Sequence, residues 1–378
     1  MTHTMTEMDF SMPNAPNTYS WAQMAPYLTW AIVQPDDSVN AHAAGIHTMM
    51  YTDPFRVNTT SPEYSNDESE YAHDCSGSRI TFTDKPLTTW LTDPSSTTLA
   101  QLWAQQVQTE EQSWGGVFDM ILEDNSDVVD HVSAMPCNFD QAAWSAATNA
   151  LNTGLGSPIV FNGLGNLVDG PNQISPSIAV LASTMGGEIE GCYSNGDPLH
   201  PMPHNGVWQI FENTEIQVVA SGKLLVCRGL STLPDTTAQV PRLYMYASYL
   251  LTYSPDTSIF SDKFTPANNG FGVEPENQLV VKDPVTFAPT DISQLKTASG
   301  TYARQYKNCY YVGNWVGPCA VVVNSDSPTH PHLFPYAGQY HHTLVLNGGD
   351  ILDGGTASAS GPAPPTLMAP ESAVIAFP

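Results

Sequence analysis

The chain is poor in basic residues: its 378 residues include 11 Lys and Arg against 37 Asp and Glu, a formal charge of −26. A field of that sign repels phosphates, which argues against nucleic acid and anionic membrane surfaces as partners. No run of about 18 apolar residues occurs, so no membrane span is expected. Met1 to Asn17 has neither a basic nor an apolar segment, so any secretory signal is expected to have been removed already. No Gly-x-Gly-x-x-Gly follows a strand and no Walker sequence is present, which takes away the sequence grounds for a nucleotide. His200, His204, His330, His332, His341 and His342 lie in Pro-containing loops and show no metal-ligand spacing of recognised specificity, so neither a metal nor a cofactor is expected. Charged residues make up only 13% of the chain, and Ser, Thr, Asn and Gln supply the remaining polarity. That composition fits a secreted protein. Six cysteines fit disulfides in an oxidising compartment. Cys309 and Cys319 flank a Gly-Asn turn and are the favoured pair. Cys75 with Cys137 and Cys192 with Cys227 are possible partners, and spacing leaves the connectivity open.

What the chain does have is alternation. Strand-like runs are expected at Tyr27–Val33, Ile46–Thr52, Gly115–Asp124, Pro158–Leu164, Gly187–Ser194, Lys223–Leu230 and Ser258–Phe264. Helical segments separate them, with Ser95-Ser96 before Leu99–Glu111, then Phe139–Leu151, Ser177–Met185, Gly206–Ser221 and Val240–Tyr253. Alternation of this kind means a parallel sheet covered by helices. At this length a closed (β/α)8 TIM-like barrel is expected, with seven strands placed and an eighth not located. Short β-rich runs after Asp291, split by Gly, Pro and Asn, predict a small C-terminal antiparallel β domain. The expected division is an N-terminal extension over 1–26, a barrel over 27–290 and a β-sandwich-like domain over 291–378. The polar, irregular stretch Phe55–Trp90 is expected to be an elaborated loop over the barrel mouth.

Catalytic groups of such barrels collect at the carboxyl ends of the strands. The strand Asp119-Met120-Ile121-Leu122-Glu123-Asp124 ends in acids. In a pleated strand Met120, Leu122 and Asp124 share one face and Asp119, Ile121 and Glu123 the other. The apolar set leads to Asp124, which is therefore the preferred acid. In Glu188-Ile189-Glu190 the two glutamates point the same way, and Glu190 is nearer the carboxyl end. Cleaving a glycosidic bond requires two carboxyl groups flanking it, and Asp124 with Glu190 supply them. Trp30, Tyr51, Asp53, Asn162, Glu188, Tyr193 and Arg228 lie near expected strand ends as candidate substrate contacts, with His73 and Asp74 as further groups within reach.

The same residues resemble a known family. Asp119-Met120-Ile121-Leu122-Glu123-Asp124-Asn125 is similar to the Asp-Gly-apolar-apolar-x-Asp-(Asp/Asn) strand of bacterial glycoside-hydrolase-like (β/α)8 barrels, which are distantly similar to endo-α-1,4-polygalactosaminidases. Leu91–Ser96, Phe161–Leu164, the Glu190 strand, Tyr302–Tyr306 through Val321–Asn324, Leu352–Gly355 and Met368–Ala373 resemble other segments of that family. Met120 stands where the family has Gly, and the Phe55–Trp90 insertion is a departure. The resemblance implies a glycosidase with Asp124 and Glu190 as catalytic pair, a carbohydrate substrate and no cofactor. A non-catalytic carbohydrate-binding barrel and a histidine-based metal enzyme are the alternative expectations.

Overall fold

The computed structural model describes residues 8–10, 19–33, 35–83, 87–126, 132–165, 174–194, 205–230, 239–263, 274–327, 329–349 and 351–378. Eight short strands form one parallel sheet in sequential order. They are β1 (Met8–Phe10), β2 (Trp30–Val33), β3 (His47–Thr52), β4 (Met120–Glu123), β5 (Ile159–Asn162), β6 (Gly186–Glu190), β7 (Leu224–Leu230) and β8 (Ser258–Lys263). β1 lies alongside β8 as well as pairing with β2, so the sheet curls into a barrel. The fold is α/β, a (β/α)8 TIM-like barrel with a C-terminal antiparallel sheet.

Period-2 alternation decides what faces where. Ile32, Met49, Leu122, Val160, Val226 and Ile259 point inward and form a single buried cluster. Met50, Ile121 and Ile159 point outward, onto Leu99, Trp103, Trp144 and Leu151 of the surrounding helices. Each fully buried large apolar side chain contributes about 1.5–3 kcal/mol.

The longer helices among the described residues are α1 (Pro35–Ala43), α2 (Thr97–Trp114), α3 (Gln141–Leu155), α4 (Asn205–Ala220) and α5 (Gln239–Thr252). Two of them carry complete start and stop chemistry. In α2, Ser96 accepts from Leu99 N, and Gly115 ends the helix with φ 54°. In α3, Asp140 accepts from Ala143 N, and Gly156 ends the helix with φ 74°. A side-chain cap of this type contributes about 1 kcal/mol, and glycine supplies the left-handed stop without a Cβ clash.

Several expectations need correction. Gly115 closes α2, so β4 begins at Met120. β1 falls inside the stretch expected to be an N-terminal extension, and it is the barrel strand not located from the sequence. The Ser177–Met185 helix is a 3-10 segment, Pro176–Ala182.

The C-terminal sheet starts earlier than residue 291. It contains β9 (Leu279–Pro284), β10 (Tyr302–Tyr311), β11 (Asn314–Asn324), β12 (His342–Thr343) and β13 (Ser372–Phe377), in the order β9-β10-β11-β13-β12. One face packs Tyr306, Val321, Val323, Ile375 and Phe377 into the same core as Tyr246, Tyr249 and Leu250 of α5. The other face packs Ala320, Val322 and Val374 under Phe334, Tyr340 and Met368. Polar ties add to the join: Arg304 donates to Leu251 O at 2.8 Å, and Tyr246 donates to Leu279 O at 2.7 Å.

The Phe55–Trp90 insertion is a compact loop, closed at its base by pairing of Arg56–Val57 with Trp90–Leu91. The Cys75–Cys137 disulfide joins it to the segment after β4. Cys192–Cys227 and Cys309–Cys319 are also bonded.

Candidate active site

The inward-facing row that is apolar in the middle of the barrel turns polar at the carboxyl ends of the strands. Tyr51 follows Met49, Asp124 follows Leu122, Asn162 follows Val160 and Arg228 follows Val226. On β6 the row consists of Glu188 and Glu190. Register places Asn162 opposite Glu188 and Glu190 opposite Arg228.

Hydrogen bonds join these groups into one network. Asp124 Oδ2 accepts from the Tyr51 hydroxyl at 2.6 Å. Asp124 Oδ1 accepts from Asn162 Nδ2 at 2.8 Å and from the backbone N of Asn125 at 2.9 Å. The same Asn162 amide donates to Glu190 Oε2 at 2.9 Å. One amide therefore touches both carboxyl groups, so those two oxygens lie under about 6 Å apart.

Arg228 secures the other side. Its Nε sits 2.7 Å from Glu188 Oε1 and its Nη2 2.9 Å from Glu190 Oε1. The Glu188 side chain is fully buried, whereas that of Glu190 is 36% exposed. Burial pulls the Arg228 pKa down, but Glu188, Glu190 and Asp124 outweigh it and hold the pKa above its usual value. Arg228 is therefore a fixed cation between two glutamates.

Asp53 lies just beyond β3 and accepts from Asn125 Nδ2 at 2.8 Å and from Arg56 N at 3.1 Å. Burial, and then the nearby Asp124 charge, push its pKa well up. Asn125 has φ 55°, the left-handed conformation that asparagine tolerates better than most residues. That twist lets its side chain reach Asp53. Asn125 was not singled out from the sequence as a site residue, and its position directly after the acidic strand end was the available signal.

The network thus brings together Asp124, Glu190, Tyr51, Asp53, Asn162, Glu188 and Arg228. Two candidate contacts lie elsewhere. Trp30 begins β2 and stacks on His47, ring centroids 4.8 Å apart, at the amino end of the strands. The strand starts at residue 30 rather than 27, which puts Trp30 at the opposite end from the site. Tyr193 is fully buried and packs on Trp208 and Phe211 in the helix layer. The turn after Glu190 has positive φ at Gly191 and Tyr193 and sends the phenol outward from the barrel.

Several of the remaining acids and histidines have structural partners. Glu123 points to α3, where Asn152 donates to it at 2.9 Å, and burial pushes its pKa up to about 8. Asp119 accepts from Thr48 N at 2.8 Å at the amino end. His73 pairs with Glu68 at 2.7 Å, and Asp74 accepts from Ser76 and Ser78 within its own turn. His332 meets Asp326 at 2.5 Å, and His342 Nδ1 meets Gly361 O at 3.2 Å. His200 and His204 lie outside the described residues. Among the described residues, the single group close enough to hold a metal ion is Cys192, Glu215 and Cys227. Its two sulfurs are bonded to each other, so the donor set does not fit a metal.

The chain is similar to glycoside hydrolases of known structure. The glycoside hydrolase domain of PelA from Pseudomonas aeruginosa is 14% identical, over 71% of this chain and 97% of that one, with a TM-score of 0.45. Aspergillus fumigatus Ega3, in complex with galactosamine, is 13% identical over 69% and 92%, with a TM-score of 0.44. The noncanonic maltogenic alpha-amylase AmyB from Thermotoga neapolitana is 6% identical over 99% of both chains, with a TM-score of 0.46. No protein-family model and no curated protein matched the sequence. The structural likeness is distant, and the chemistry of the site follows from its own geometry.

Proposed function

We propose that the protein is a glycoside hydrolase that retains configuration at the anomeric carbon, with Asp124 as nucleophile and Glu190 as acid/base. The observation that carries this reading is the Asn162 amide bonded to both carboxyl groups. Retaining enzymes hold their carboxyl groups about 5–5.5 Å apart, whereas inverting ones leave about 6.5–9.5 Å for a water. A single bridging amide suits the shorter spacing.

The division of roles follows from the surroundings. Three donors converge on Asp124 and fix its carboxylate in place, as an attacking group requires. The Glu190 side chain is 36% exposed, so it can exchange a proton with water in the second step. In the first step Glu190 gives its proton to the glycosidic oxygen, that C–O bond breaks, and Asp124 bonds to the anomeric carbon. In the second step Glu190 takes a proton from water, the water oxygen bonds to that carbon, and the Asp124 ester bond breaks. Tyr51, Asn162 and Arg228 hold the pair throughout. No cofactor enters this scheme.

The test is hydrolysis of a broad panel of glycans by the wild type and by Asp124→Asn and Glu190→Gln, with the anomer of the first-formed product read by NMR. Release of reducing sugar that both variants lose by several orders of magnitude, with configuration retained, supports the reading. An inverted first product overturns the retaining assignment. Undiminished glycan binding by all three proteins with no hydrolysis by any would identify a binding barrel.

A further inference from the structure

Behind Glu190, on the outer side of the barrel wall, lies a buried group that the reaction itself does not use. Cys192 follows Glu190 by two residues and is disulfide-bonded to Cys227, the residue before Arg228. The disulfide thus joins the strand ends carrying the two partners of the Glu190–Arg228 ion pair, and Cys192 N also donates to Arg228 O at 2.9 Å.

Against this disulfide packs Glu215 of α4, with no exposed surface. Its Oε1 is 3.3 Å from the Cys192 sulfur, and its Oε2 accepts from the Thr252 hydroxyl at 2.5 Å. A disulfide sulfur carries no hydrogen and can only accept. The 3.3 Å contact is therefore a hydrogen bond only if the proton belongs to Glu215. One carboxyl oxygen accepting from Thr252 and the other donating to sulfur is the pattern of a neutral carboxylic acid.

We propose that Glu215 is a buried neutral acid whose O–H donates to the Cys192 sulfur, and that this bond holds the turn that positions Glu190. Its influence on catalysis rests on the glycosidase reading, whereas its hold on the turn does not.

The surroundings support the proposal. Tyr193 is held at φ 53°, a conformation that costs a non-glycine residue about 1 kcal/mol or more and persists only where neighbours enforce it. Burial raises the pKa of Glu212 and Glu215 more than hydrogen bonding from the Tyr193 phenol, which favours their charged forms, lowers it. The groups linked electrostatically to Glu212 or Glu215 of α4 are Tyr193 from the turn, Tyr244 from α5, and Arg304, Tyr302 and Tyr306 from the C-terminal sheet. Arg304 is the one cation among them, and it acts on Glu212. Burial raises the pKa of both glutamates, and the Glu215 charge raises that of Glu212 further. Ionisation of Glu215 removes the donor to sulfur and leaves an anion beside a second acid. The bond is therefore intact at low pH and lost as pH rises through the raised pKa.

The experiment is amide hydrogen exchange of the peptide covering residues 190–194, with the disulfide intact, after correction for the intrinsic pH dependence. In the wild type, protection is expected to fall about tenfold or more between pH 6 and 9. Glu215→Gln keeps a neutral N–H donor at that position and is expected to hold protection constant. Equal pH dependence in both proteins overturns the proposal. Should Glu215→Gln fail to fold, Thr252→Val decides: losing the hydroxyl that favours the anion should move the onset to higher pH, and an unmoved onset counts against the bond. On any substrate hydrolysed, Glu215→Gln should also shift the alkaline limb of kcat/KM upward. A wild type with no hydrolytic activity would remove the glycosidase reading and leave the exchange result to judge the turn.

Discussion

Tyr51 donates its phenolic hydrogen to Asp124 Oδ2 across 2.6 Å. Burial and the carboxyl groups of Asp53 and Asp124 drive the Tyr51 pKa far upward, so the phenol remains a donor at any working pH. Tyr51→Phe leaves that carboxylate oxygen without this donor while keeping the ring packing. The expected result is a fall in kcat of about 10- to 100-fold with KM little changed, and a stability loss of about 1 kcal/mol in urea unfolding.

Asn162 is the bridge between the two carboxyl groups, and its replacement by Asp would set a third acid between them. Like charges at this distance cannot all ionise. Asn162→Asp is expected to lower kcat/KM by about 1000-fold at neutral pH and to recover part of the activity at acidic pH. Asn162→Ala loses the bridge without adding charge and should show no such recovery. Matching pH profiles for the two variants would contradict this account.

Glu188 serves a different end from Glu190. It is fully buried and paired with Arg228 at 2.7 Å. Removing one member of a buried ion pair costs about 3–5 kcal/mol where the other charge is left uncompensated, but Arg228 keeps Glu190 at 2.9 Å. Glu188→Ala should therefore fall short of that loss in chemical denaturation, and Glu188→Gln, which keeps a polar partner for Arg228, should lose less still.

Several acids are buried away from cations, and their effect on stability has a definite sign. Burial raises the Glu63 pKa to about 7 and that of Glu123 to about 8. An acid whose folded pKa exceeds its unfolded value contributes no penalty below the unfolded pKa, and it destabilises progressively as pH rises towards the folded one. Stability is therefore expected to be greatest on the acidic side and to decline from the ordinary glutamate range up to about pH 8. A series of Tm measurements between about pH 4 and 9 checks this, and Glu123→Gln should flatten the slope. A Tm that rises with pH would contradict it.

Cys75 and Cys137 are exposed, whereas the cysteines of the other two disulfides are buried. Mild thiol reductant should open Cys75–Cys137 first, because exchange requires access to the sulfur. Mass mapping of alkylated thiols would show it, with label at 75 and 137 before any at 192, 227, 309 or 319.

The barrel was legible because its strands carry two alternating messages. In Met120 to Asp124 the inward set is apolar until it reaches Asp124 and the outward set ends in Glu123, so pleat alone separates an acid at the mouth from one against α3. Glu188 and Glu190 share a face for the same reason. β1, by contrast, has three residues, too few for any period, and its place comes from pairing with Trp30–Ile32. Trp30 was misplaced because strand length, not periodicity, decides which end of the barrel a residue reaches. Tyr193 was misplaced because a positive φ turn reverses the direction expected from a continuing strand. Glu212 and Glu215 were not singled out from the sequence. Only the packing of α4 against the disulfide gives them meaning, and helix periodicity carries no information about that neighbour.

β13 lies between β11 and β12 in the C-terminal sheet, yet it is the last of the sheet's strands in chain order. During synthesis from the amino terminus, β11 must wait for Ser372–Phe377 before it can pair on that side. Val321 and Ile375 are opposed across that pairing, and both are fully buried. Until then the apolar face of β11 and the side of α5 it covers stay open to water, a state prone to aggregation. The C-terminal sheet therefore cannot close until Ser372–Phe377 has been made, and a ribosome stalled short of residue 372 would carry a chain whose sheet still leaves that core face open.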